Sequence, residues 1–197
     1  MIKITPREQK KLIYRQKILD AASFQFVKKG FSETSIADIM NTAKLGVGTF
    51  YNYFASKEEL LLALLKSLAE KVESVIDKEK SKNLSSLKLL ELACREITKL
   101  LEKNKFVLPL FLSVSEHSDK PEFLPIRQHT PTFKPIFEMI IERGQSNGEI
   151  KKDVPSSLIA EMFHSIYQAA SFSKLDISFQ KNIEWKVKIL IDGIKNF

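Results

Sequence analysis

The densest run of groups able to do chemistry is Val47-Gly48-Thr49-Phe50-Tyr51-Asn52-Tyr53-Phe54-Ala55-Ser56-Lys57. Thr49, Tyr51 and Tyr53 supply hydroxyls, Asn52 a carboxamide and Lys57 an ammonium. No nucleophile motif, phosphate-cradling glycine loop or pair of catalytic carboxylates accompanies them, so the chemistry on offer is recognition by hydrogen bonds. If Phe50 and Phe54 rest on a core, Val47, Gly48, Tyr51 and Asn52 turn to a partner, because positions three and four apart share a helix face. Such a face fits the DNA major groove. Gly48 and Thr49 keep its leading end slim, Tyr51 and Asn52 can meet base edges, and Thr49, Tyr53 and Lys57 lie where phosphates would pass. A small core corner whose tyrosines merely pack is the alternative that the aromatics alone leave open.

Two short helical patterns must position these residues. The first starts at Thr34 or Ser35, either of which can cap a helix, with Asp38 placed to complete a capping box on Ser35. Its apolar stripe is Ile36, Ile39, Met40 and Ala43, spaced as one helix face. Lys44-Leu45-Gly46 breaks it, with Gly46 expected to supply the backbone freedom for the change of direction. The second pattern, Val47 to Tyr53, is too short to be stable alone and needs an anchor on one side. Together they read as a helix-turn-helix.

The run Thr34-Ser35-Ile36-Ala37-Asp38-Ile39, then Ala43, then Gly48-Thr49-Phe50-Tyr51-Asn52-Tyr53-Phe54-Ala55-Ser56-Lys57-Glu58-Glu59-Leu60, resembles the amino-terminal domain of TetR/AcrR-type transcriptional regulators. The resemblance covers roughly Gln16 to Leu64, and Lys44 departs from it where a small residue or Gly is frequent. It implies an all-α protein: a three-helix DNA-binding head over residues 1–55 and a helical effector-binding and dimerisation domain over 56–197. It also implies a homodimeric, ligand-responsive regulator, most simply a repressor, on a palindromic double-stranded operator. Base reading then falls to Val47, Gly48, Tyr51 and Asn52, and backbone contact to Thr34, Ser35, Lys44, Thr49, Tyr53 and Lys57. No cofactor or metal is implied.

Charge points the same way. The chain of 197 residues carries a net +7. Met1 to Lys57 holds ten Lys or Arg against four Asp or Glu, a net +6, whereas the remaining 140 residues hold 21 against 20, a net +1. A basic excess confined to the helix-turn-helix segment is the footprint of phosphate binding. A basic helix lying on anionic lipid is the rival, but the aromatics here follow a turn-broken pattern and not one long amphipathic face. The single cysteine, Cys94, excludes an intramolecular disulfide and a thiolate metal cluster. No apolar run reaches membrane-spanning length and no signal-peptide core is visible, so a cytoplasmic protein without membrane contact is expected.

Around the motif, Thr5-Pro6-Arg7-Glu8 opens a helix to about Lys29, with Ile18, Leu19, Ala22 and Phe26 buried and Gly30 as its stop. Ser56-Lys57-Glu58-Glu59 opens another that buries Leu60, Leu61, Leu64, Leu65, Leu68, Val72, Val75 and Ile76 and leads out of the head. Further helices are expected over Leu87 to Lys103, Phe133 to Gln145, Leu158 to about Leu175 and Ser178 to Ile194, with a Pro-rich loop over His117 to Thr132. Strand signals are absent. The last two helices are apolar around their circumference, through Met162 and Ala169 in one and Ile189 and Leu190 in the other. They need two partners each, one of them a second copy of the chain.

An effector pocket, apolar and suited to a small hydrophobic compound, would draw on Phe106, Phe111, His117, Phe133, Phe137, Phe163, His164 and Tyr167, with Phe172, Arg127 and His129 nearby. Aromatic stripes at helical spacing are more often core, and the three histidines have no metal-ligand spacing. Control by a protein partner and a helical enzyme reusing the fold are the competing readings of the same chain.

Overall fold

The computed structural model describes residues 5–80, 82–104, 107 and 133–196. Among them it is helical, with no strand beyond an isolated antiparallel bridge between Ile150 and Lys195. The helices are α1 (Pro6–Lys29), α2 (Ile36–Ala43), a 3₁₀ helix (Val47–Asn52), α3 (Lys57–Lys80), α4 (Ser86–Lys103), α5 (Lys134–Ser146), α6 (Ser156–Ser171) and α7 (Phe179–Ile194). Two compact units part between Ser67 and Leu68, inside α3, with Asn104 and Val107 counted in the first.

In the first unit α1 begins at the capping box read from its residues: Thr5 Oγ1 accepts from the Glu8 amide, and the Glu8 carboxylate accepts from the Thr5 amide. Ile18, Leu19, Ala22 and Phe26 are buried along one face, and Gly30 ends the helix at φ 82°. Helix α2 is capped by Ser35, not Thr34, and Asp38 closes its box. Ile39, Met40 and Ala43 form its buried side. The turn after α2 differs from expectation. Lys44 takes the left-handed conformation at φ 56°, while Gly46, at φ −66° and ψ 142°, is ordinary extended backbone. The Leu45 amide donates to the Met40 carbonyl and the Lys44 amide to that of Asn41, a bonding pattern that usually puts glycine where Lys44 stands.

The second unit packs α4, α5, α6 and α7 together with the later turns of α3. Phe137 of α5 and Phe163 of α6 stack at 5.5 Å between ring centroids, both fully buried. Tyr167, also buried, donates its hydroxyl to the Cys94 carbonyl at 3.1 Å. Burial pushes the Cys94 thiol up to about 12 and the Tyr167 hydroxyl well above its usual value, so both stay neutral at any physiological pH. Helix α6 stops at Ser171, short of the expected Leu175.

Beyond α5 the segment from Glu149 to Lys151 meets the chain's last residues: the Lys151 amide donates to the Ile194 carbonyl and the Asn196 amide to the Glu149 carbonyl. Gly144 sits under this junction. A methyl group there would lie 2.5 Å from Ile150 Cδ1 and 2.9 Å from Ser86 Cβ, and both neighbours are fully buried. Gly144→Ala is therefore expected to lower unfolding free energy by about 1 to 3 kcal/mol, the usual cost of overpacking. Denaturant unfolding checks this, and a variant as stable as the parent would show that the junction yields.

Candidate nucleic-acid interface

The 3₁₀ helix is six residues long, too short for its own bonds to hold it without its neighbours. The Thr49 amide donates to the Gly46 carbonyl, and the Tyr53 and Phe54 amides both donate to that of Phe50. Phe50 and Phe54 are buried, their rings 5.8 Å apart, and the Arg15 guanidinium from α1 lies 5.3 Å from the Phe54 ring. On the opposite side Val47, Gly48, Tyr51 and Asn52 are exposed, Tyr51 at 62%. The rings of Tyr51 and Phe50 meet edge to face at 5.3 Å, which holds the exposed phenol against its buried neighbour.

Residues read as backbone contacts divide into two sets. Ser35 and Lys44 are exposed, and Thr49 and Tyr53 half-buried, all on or beside the two short helices. Thr34 and Lys57 have inward partners. Thr34 is buried, and its hydroxyl donates to the Gly30 carbonyl at 2.7 Å and lies 3.3 Å from that of Gln25. The Lys57 ammonium donates to the carbonyls of Phe31 and Thr34 at 2.8 and 2.9 Å and approaches that of Ser32 at 3.3 Å.

Sequence reasoning passed over the braces that set the angle between α1 and α2. Gln25 Nε2 donates to Thr42 Oγ1 at 2.6 Å, and Lys29 pairs with Asp38 at 2.9 Å. Asp38 is the hub of the second brace. The Ser35 amide, the Lys29 ammonium and the Ser35 hydroxyl together hold its carboxyl at about 2, below the ordinary 3.8. The Ser35/Asp38 spacing was a visible signal for the cap, but nothing in local spacing marks Lys29 as its partner.

Effector-pocket candidates meet a different fate. Phe106, Phe111, His117, Arg127 and His129 lie outside the described residues. Phe133, Phe137, Phe163 and Tyr167 are core side chains, and His164 is half-buried on α6, where burial lowers its pKa and favours the neutral ring. A groove of about 510 Å³ runs instead between α4 and α7, over Cys94, Thr98, Ile183, Val187 and Ile191. Glu91, Arg95, Lys188 and Asp192 are among the charged residues along it, and none of the expected pocket residues is.

A head of two helices and an aromatic-anchored third, exposed on one side, defines a helix-turn-helix DNA-binding protein. Residues 18–64 match the model of the bacterial regulatory proteins of the tetR family, and similar relatives and solved structures support a TetR-family transcriptional regulator. It is 26% identical to the HTH-type transcriptional repressor DhaR of Mycobacterium sp. (strain GP1) over 161 residues, 79% of each chain. It is 25% identical over 196 residues to the fatty acid metabolism regulator protein of Bacillus subtilis (strain 168), covering 96% of this chain and 99% of that one. The crystal structure of a TetR-family regulator from Syntrophomonas wolfei superposes with a TM-score of 0.72 at 27% identity, over 91% of this chain and 94% of that one.

The Asp38 brace carries a pH dependence. A carboxyl held below its unfolded value adds stability above that value and loses it as pH falls towards the folded one. The head is thus expected to lose stability between about pH 4 and pH 2, and the deficit of Asp38→Asn relative to the parent should shrink over the same range. Urea unfolding of parent and variant from pH 6 to pH 2 measures it; a deficit that stays constant would remove Asp38 as the source.

Proposed function

We propose that the chain is a homodimeric repressor that binds a palindromic operator through its 3₁₀ helix and is released by a small hydrophobic effector. The observation that carries this reading is the division of the Val47–Asn52 segment. Phe50 is buried while Val47, Gly48, Tyr51 and Asn52 face outward, on a head that carries nearly all of the excess positive charge. In the major groove, Tyr51 and Asn52 read base edges, Val47 offers methyl contact, and Gly48 lets the backbone approach. Ser35, Lys44, Thr49 and Tyr53 take the phosphates on either side and fix the register.

Dimerisation is supported by the apolar side chains that α6 and α7 leave uncovered. Leu158 and Met162 on α6, Phe172 just after it, and Trp185 and Ile189 on α7 are all exposed, Ile189 at 71%. Soluble chains rarely leave such residues to water in number, and two copies of a helix pair bury them in a symmetric interface. Two heads then meet two half-sites one helical turn apart.

An effector acts by preferring the conformer that spaces the heads wrongly, and it weakens operator binding only by its differential affinity for the two forms. The unbroken α3, Lys57–Lys80, supports this route, since it starts in one compact unit and ends in the other. Equal operator affinity and equal head separation with and without effector would contradict it.

Binding to a duplex selected from genomic DNA, against a shuffled duplex over a salt series, tests the reading as a whole. Tyr51→Ala is expected to weaken the selected duplex by about 1 to 3 kcal/mol and to leave the shuffled one nearly unchanged, whereas Lys44→Ala lowers both and reduces the salt slope by about one. Equal loss on both duplexes would take Tyr51 out of the base-reading set. Ile189→Glu should turn the dimer into a monomer in sedimentation and weaken the selected duplex by about 100-fold or more, since one half-site contact is lost. A dimer that persists would place the interface elsewhere.

A further inference from the structure

Lys57 opens α3, where a cation faces the positive end of the helix dipole and gains nothing from it. Its surroundings supply the compensation. Three backbone carbonyls, of Phe31, Ser32 and Thr34, stand 2.8, 3.3 and 2.9 Å from Nζ, and the face of the Phe31 ring lies 4.5 Å from it. An ammonium has three N–H donors, and three carbonyls match them in number. In this geometry no donor remains for a phosphate.

The carbonyls belong to the turn between α1 and α2, and that turn is held from its other side as well. The Thr34 hydroxyl donates to the Gly30 carbonyl, and the Phe31 ring meets Phe26 of α1 edge to face at 5.2 Å. Lys57 therefore ties the start of α3 to a braced point on the far side of α2. The 3₁₀ helix lies between these two attachments, joined to α2 through Leu45-Gly46 and to α3 through Tyr53 to Ser56.

We propose that Lys57 is a positioning residue for base recognition: by clamping the α1–α2 turn to the first turn of α3 it fixes the height and tilt of Val47–Asn52, and so sets operator selectivity without itself donating to DNA. This rests on the DNA-binding reading above for its functional half, while the clamp can be tested without DNA.

Two substitutions separate clamp from phosphate contact. Lys57→Gln removes the charge. Lys57→Arg keeps it, but a flat guanidinium fork cannot serve three carbonyls that converge on one point. Each variant is titrated with the selected and the shuffled duplex over a salt series, and amide hydrogen exchange is followed at Thr34, Thr49 and Tyr53 in the DNA-free protein.

The clamp predicts that both variants keep the parent's salt slope and lose roughly tenfold or more in the ratio of selected to shuffled affinity, and that the three amides exchange faster by a similar factor. That is the scale of a lost hydrogen bond to a charged group. A slope reduced by about one in Lys57→Gln and kept in Lys57→Arg, with selectivity and exchange unchanged, would show a phosphate contact and overturn the proposal. If the parent itself fails to distinguish the duplexes, the DNA-binding reading falls and the exchange data decide the clamp alone: unchanged exchange refutes it, faster exchange upholds it. Should Lys57→Gln not fold, Phe31→Leu removes the ring beside the ammonium and leaves the carbonyls; a smaller shift of the same kind is expected, and none would count against the clamp.

Discussion

Burial of Phe50 and Phe54 is the interaction on which the head depends. A six-residue 3₁₀ helix has too few internal bonds to persist in water, so its existence is a tertiary effect. Each buried phenyl ring contributes about 1.5 to 3 kcal/mol relative to exposure, which is the scale needed to hold so short a segment in place. Because the two rings take one side, the positions on the opposite side of the short helix turn to solvent. The outward face of Val47, Gly48, Tyr51 and Asn52 is a consequence of where the rings go.

Anchoring by itself fixes position but not angle, and the polar braces supply the rest. Gln25 to Thr42, Lys29 to Asp38, and Lys57 to the Phe31–Thr34 carbonyls each join two elements of the head. Lys29 and Asp38 are partly exposed, and such a pair adds little stability, but a short directed contact restricts geometry even where its free energy is small. A reader of base edges needs that restriction more than it needs added stability, because a misplacement of the recognition segment by about an ångström breaks the bidentate contacts that distinguish bases.

What the residues revealed beforehand followed the range of each interaction. Capping boxes at Thr5 and Ser35 were legible because they act within three positions, and the buried stripes of α1, α2 and α3 because helical periodicity is local. The conformation of the turn was not. Gly46 is permissive without being required, and the left-handed residue is Lys44, where the Lys44 amide donating to the Asn41 carbonyl and the Leu45 amide donating to that of Met40 compensate a conformation that a side chain disfavours. The inward partners of Lys57 left no local signal, since they lie up to 26 positions away in the chain. The aromatics offered for a pocket, Phe133, Phe137, Phe163 and Tyr167, carry a pattern that core and pocket share, and in the structure they are core. The α4–α7 groove had no sequence signal, since it is made by two helix faces whose separation only packing sets.

Amide spectra of the ¹⁵N-labelled protein, titrated with a tightly bound duplex selected from genomic DNA, show whether the exposed face of the 3₁₀ helix reads DNA. Shifts are expected at Ser35, Lys44 and Val47 to Tyr53, with the buried residues of α5 and α6 unmoved. A duplex that binds tightly while those head residues stay unshifted would show that DNA is read elsewhere, and that the exposed face of the 3₁₀ helix serves another partner.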